Sequence, residues 1–171
     1  MESKTALKNQ GFTLIELLIS LLVISVLVSL GYVNFRKYAQ KQALWAVARQ
    51  IEGDLRLAQS YAMSGKDASN CNTGTYLYGY RLVKVDNSSY KIQRVCRNPD
   101  GSFTFNDVPP VRYISGFEIY NSFSQVLFRS VVGGVDSATS IDINIRRIST
   151  TSPYILVNVS LTGAISLSYN E

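Results

Sequence analysis

The sequence predicts an α+β protein, one long N-terminal helix followed by a domain of antiparallel strands. Two observations carry this. Residues 12–64 contain no proline and keep helical spacing, first as an almost unbroken apolar run and then as an amphipathic pattern. From Tyr76 onward apolar residues recur at every second position, in short runs separated by turn-forming residues. A length of 171 residues allows one domain of ordinary size beyond the N-terminal segment.

Within the apolar run, residues 12–33, the one charged residue is Glu16. A helix over these residues is roughly 33 Å long, enough to cross the hydrocarbon layer of a bilayer. A carboxylate there costs on the order of 2.5–3.5 kcal/mol, which marks Glu16 as a functional residue by default. Cutting the chain between Gly11 and Phe12 would create an α-amine able to pair with Glu16 of a neighbouring copy. Lys4 and Lys8 precede the run, which places the N-terminus in the cytoplasm and the rest of the chain outside. A second reading is an export signal cleaved near Ser29-Leu30-Gly31; it predicts loss of the apolar run, which is longer than such signals usually are.

Leu44, Val47, Ala48, Ile51, Leu55, Ala58 and Ala62 then recur at intervals of three and four. Residues 34–64 therefore read as an amphipathic continuation with one buried face. Gly31 and Gly53 are its weak points and Gly65 its stop. Residues 66–75 form a loop, and 76–83 with 90–95 a hairpin around Asp86-Asn87-Ser88. Asn98-Pro99-Asp100-Gly101 is a turn, and Pro109-Pro110 is expected to end the next strand. Residues 112–120 and 125–129 are further strand candidates. Alternating runs through Ile141, Ile143 and Ile145, through Ile155, Val157 and Val159, and through Ile165, Leu167 and Tyr169 predict half-buried antiparallel strands.

Gly11-Phe12-Thr13-Leu14-Ile15-Glu16 followed by an apolar helix resembles the class III signal of type IV prepilins and pseudopilins. The resemblance implies cleavage after Gly11 by prepilin peptidase, methylation of the new N-terminus at Phe12, and docking into a filament through Glu16. It implies a leader over 1–11, a transmembrane and filament-core helix over 12–33, an amphipathic helix over 34–64, and an exported β-rich domain over 65–171. Its partners would be prepilin peptidase, other pilins met through the N-terminal helix, the inner-membrane assembly platform, and membrane lipid before assembly. Localisation would be the inner membrane, single-pass, and then a filament at the periplasm or cell surface. Val126-Leu127-Phe128, Gly133-Gly134, Ile141 to Ile143, and Ile155 through Gly163-Ala164-Ile165 are similar to the C-terminal pattern of the GspH/FimT pseudopilin family, which builds two antiparallel sheets against the helix. A minor pilin, or a pseudopilin of a type II secretion machine, is the function implied.

Composition excludes much else. The chain has no histidine, so it lacks a Ser-His or Cys-His base, and two cysteines are too few for a zinc site. An enzyme is not expected, nor a cofactor or metal. In an exported domain Cys71 and Cys96 read as a disulfide, two buried thiols being the alternative. Some FimT-like minor pilins bind DNA. Arg94 with Arg97, and Arg146 with Arg147, could meet phosphates while Tyr76, Tyr78 and Tyr80 stack on bases. The preferred reading packs these tyrosines across a sheet. The basic residues such relatives carry near a C-terminal glycine are absent from Thr162-Gly163-Ala164-Ile165-Ser166.

Overall fold

The computed structural model describes residues 13–151 and 153–170, with the backbone alone over 30–34. Residues 1–12, with the expected leader and the Gly11–Phe12 cleavage position, lie outside the described residues, as does any side-chain account of the Gly31 region. Helix α1 (Leu14–Ser64) is followed by eight strands. These are β1 (Tyr76–Asp86), β2 (Ser89–Arg97), β3 (Phe103–Tyr113), β4 (Phe117–Ile119), β5 (Gln125–Arg129), β6 (Ile141–Arg147), β7 (Tyr154–Val159) and β8 (Ile165–Asn170). The chain divides into two compact units, residues 1–41 and 42–171.

The first unit is helical from Leu14 and exposes its apolar side chains, Leu14, Ile15, Leu17, Leu18 and Ile19 among them. Thr13 starts the helix. Its hydroxyl accepts a hydrogen bond from the Glu16 amide at 3.4 Å, and its carbonyl accepts one from the Leu17 amide. Thr13-x-x-Glu16 is therefore the beginning of a capping box, with the carboxylate in the first turn, where the helix dipole favours negative charge. Among the described residues no helix is long and apolar enough to cross a membrane. The apolar stretch with described side chains, residues 14–29, amounts to about 24 Å of helix and falls short of the roughly 30 Å hydrocarbon layer.

In the second unit the rest of α1 packs on two antiparallel four-stranded sheets, in the orders β3-β2-β1-β5 and β4-β6-β7-β8. Leu44, Ala48, Ile51, Leu55, Ala58 and Ala62 are buried, which is the face that the spacing of three and four predicts. Three alanines on that face let the backbone approach the sheets closely, while Ile51 and Leu55 each contribute about 1.5–3 kcal/mol by burial. The first sheet meets the helix with Tyr80, Leu82, Tyr90, Ile92, Val126 and Phe128, and the second with Ile143, Ile145, Ile155, Val157 and Val159. The helix ends as Gly65 predicts. Gly65 adopts φ 62°, its amide bonds to the Ala62 carbonyl, and the Lys66 amide bonds to the Tyr61 carbonyl. That pair of bonds is a Schellman cap.

A buried polar cluster locks helix to sheet. The Tyr90 hydroxyl donates to Asp54 Oδ2 at 2.7 Å and accepts from Gln50 Nε2 at 3.3 Å. Arg112 Nε lies 3.4 Å from the same Asp54 oxygen. Burial, reinforced by the Asp54 carboxylate, pushes the Tyr90 hydroxyl well above its ordinary pKa, so it stays a donor.

Two expectations need correction. The strand expected to end at Pro109-Pro110 runs on to Tyr113. β3 is an edge strand, and the prolines fall where its register with β2 shifts between Tyr90 and Ile92. A bulge on an edge is a place where missing amide donors cost nothing. The strand expected over 112–120 is instead the end of β3 plus the short β4, separated by a turn in which the Phe117 amide bonds to the Ile114 carbonyl.

Candidate functional site

Of the residues predicted to act in processing and assembly, Gly11 and Phe12 lie outside the description, and Glu16 stands exposed in the first turn of α1. Thr13 is the local partner of Glu16 that reading for charge overlooks; the Thr-x-x-Glu spacing was the signal. The motif thus has a local physical role. It caps the described start of the helix at Leu14 and holds Glu16 in the first turn.

The cysteines are joined. Cys71 and Cys96 form a disulfide with Cα atoms 5.9 Å apart, linking the loop after the helix to the end of β2. A short 3-10 turn over Ala68–Asn70 delivers Cys71, and Cys96 sits buried opposite Leu77.

The four arginines are not brought together. Arg94 pairs with Tyr80 across β1 and β2, so it lies on the helix-facing side of the sheet. Its Nε is buried without a partner, and its Nη2 donates to the Asn70 carbonyl at 3.4 Å. Arg97, three residues on, faces the other way beside Tyr76 and Phe103. Arg146 and Arg147 are consecutive in β6 and point to opposite faces. Arg146 is paired with Glu118 at 2.8 Å and lies 4.4 Å over the Tyr120 ring. The tyrosines are divided as well. A register shift between Leu77 and Gly79 breaks the alternation, so Tyr80 enters the core at 1% exposure while Tyr78 stays on the outer face. Tyr80 is not available to stack on a base. The Tyr78 hydroxyl donates to Asp136 at 2.9 Å, and burial together with that carboxylate raises its pKa. Among the described residues no cluster of three or more metal-ligating side chains occurs.

A family model described as the prokaryotic N-terminal methylation motif matches residues 7–32. The chain has the N-terminus of a type IV prepilin-like protein. The matched segment of this prepilin-like chain holds Gly11, Phe12, the Thr13 cap and Glu16, and it is consistent with processing by prepilin peptidase and assembly with other pilins. No curated protein and no solved structure matches the chain.

Proposed function

We propose that this chain is a minor pilin or pseudopilin of the GspH/FimT kind, a structural subunit and not an enzyme. It is cut after Gly11, methylated on Phe12, held in the inner membrane by residues 12–33, and inserted into a pilus-like filament through Glu16. The observation that carries this reading is the methylation motif over 7–32, joined to a capped helix that holds a carboxylate in its first turn. Inside lipid that charge is costly, and beside a neighbour's Phe12 amine it is neutralised. A helix followed by two antiparallel four-stranded sheets supports the GspH/FimT assignment.

Glu16→Gln tests it. Glutamine retains the shape and the capping capacity of the third helical position while removing the charge. The expected product is a processed, membrane-resident, folded subunit that enters filaments poorly. Incorporation equal to wild type would show that Glu16 is not the docking charge. Purifying the intact assembly separates the two filament systems: co-purifying secretion-channel components would identify a type II secretion pseudopilin and end the surface-pilus reading.

A further inference from the structure

Between Glu16 and Glu52 the chain has no acidic residue, and within that stretch it carries Arg36, Lys37, Lys41 and Arg49. Three of these cations follow directly on the apolar run, beside two aromatics, Phe35 and Tyr38. The segment over residues 35–41 belongs to the first compact unit and continues α1 without a break. Phe35 is 68% exposed and Tyr38 62%, and Arg36 and Lys37 are exposed as well. Lys37 has no ion pair among the described residues.

At about 100° per residue, Phe35, Arg36, Lys37 and Tyr38 take up all four sides of the helix. A helix that docks on one protein partner does so along a stripe, with its contacts at intervals of three and four. A girdle of aromatic and basic side chains is instead what a membrane–water interface selects, because the surroundings there are the same in every direction around the helix. The Tyr38 ring has an apolar body and a polar tip, and lysine and arginine lay their stems along apolar surface while the charge stays among polar groups. Phe35 to Tyr38 rise about 3–8 Å beyond Val33, which is the headgroup layer outside a roughly 30 Å hydrocarbon core.

We propose that residues 35–41 bind anionic phospholipid headgroups on the outer side of the inner membrane and so hold the subunit at a fixed depth before it is assembled. The inference rests on the reading that residues 12–33 span that membrane. On that reading the three cations lie outside, where the general bias of membrane proteins disfavours lysine and arginine. Anionic headgroups give them a partner there, since guanidinium and ammonium groups make charge-assisted hydrogen bonds to phosphate oxygens. Depth matters for Glu16. About 31 Å of helix separates Glu16 from Lys37, close to the thickness of the hydrocarbon layer. With Lys37 among the headgroups, Glu16 stays within about one turn of the opposite boundary. A contact made through exposed cations is screened by salt and readily reversed, as an anchor released on assembly needs to be.

The full-length chain in vesicles of phosphatidylcholine and phosphatidylglycerol in equal parts tests it. Ser29→Cys carries a bimane label; Ser29 is exposed and lies about 9 Å of helix below Phe35, while Cys71 and Cys96 are held in their disulfide. Bromine on the upper acyl chain of either lipid quenches the label on contact. Brominated phosphatidylglycerol should be enriched about fivefold over brominated phosphatidylcholine around the label. That preference should fall away at about 1 M salt, where the Debye length is about 3 Å. Arg36→Gln, Lys37→Gln and Lys41→Gln together should make the two lipids equal, whereas Arg36→Lys with Lys37→Arg should keep the preference. A label at Ile24→Cys, quenched by lipid brominated near its chain end, reports that the apolar run spans, independently of headgroup charge. Quenching there with no phosphatidylglycerol preference at Ser29 would overturn this proposal and leave the spanning reading standing; no quenching at Ile24 would overturn both. A preference that survives loss of the three cations would also overturn it, and so would a carbodiimide cross-link from Lys37 to a carboxylate of another protein in the membrane.

Discussion

Tyr90→Phe removes one buried oxygen and leaves the ring. Tyr90 is fully buried, and its hydroxyl both donates to Asp54 and accepts from Gln50. Asp54 is itself 8% exposed, and its remaining charged neighbour is Arg112 at 3.4 Å, longer than a strong charge-assisted bond. Hydrogen bonds to charged groups contribute about 1.5–3 kcal/mol, so the expected loss is about 2 kcal/mol. For a domain of this size that corresponds to a fall in Tm of about 8 °C. The measurement is thermal unfolding of the full chain in detergent, followed by near-ultraviolet circular dichroism. In an Asp54→Asn background the acceptor is neutral, and the same change should cost only about 1 kcal/mol. A fall under about 2 °C in the wild-type background would refute the idea that this cluster fastens helix to sheet.

Reducing the Cys71–Cys96 disulfide opens a loop with a sequence separation of 25, and chain entropy predicts a loss of about 3.5 kcal/mol; unfolding in denaturant with and without reductant measures it. Gly163→Ala forces a β-carbon to within 2.4 Å of Gln59 Nε2 and 2.6 Å of the Gly133 carbonyl oxygen, at φ +84°; the expected cost is about 2–3 kcal/mol, read as a lowered denaturation midpoint. Asp107 is held below the ordinary carboxylate range by Gln93 and Lys91, Asp86 by Ser89 and Ser88, and Asp100 by Ser102. Because these folded-state values are depressed, their stabilisation is complete above about pH 4 and lost as pH falls through the folded values. Tm should hold steady above that pH and drop below it, and a Tm unchanged down to pH 2 would contradict the assignment.

Periodicity made much of the fold legible. The buried face of the helix was readable because Leu44, Ala48, Ile51 and Leu55 must all meet one surface, and local spacing records that demand. Gly65 was readable because few residues other than glycine end a helix at positive φ. The path of Tyr78 and Tyr80 was not, since a bulge depends on the partner strand and leaves alternation intact in the sequence. Pro109-Pro110 misled for a related reason: proline forbids a central strand, and whether β3 is central or an edge is decided by pairing with residues far along the chain. The same applies to β4 and β5, consecutive strands that join different sheets. At the candidate site, Glu16 stood out by its cost in an apolar run. The Arg94 and Arg97 pairing failed because three residues along a strand means opposite faces.

The intact mass of the protein extracted from membranes tests the central claim most directly. Processing at the motif over residues 7–32 predicts a chain of residues 12–171 with the Cys71–Cys96 disulfide and one added methyl group. A mature chain beginning near Tyr32, or one still carrying residues 1–11, would contradict it.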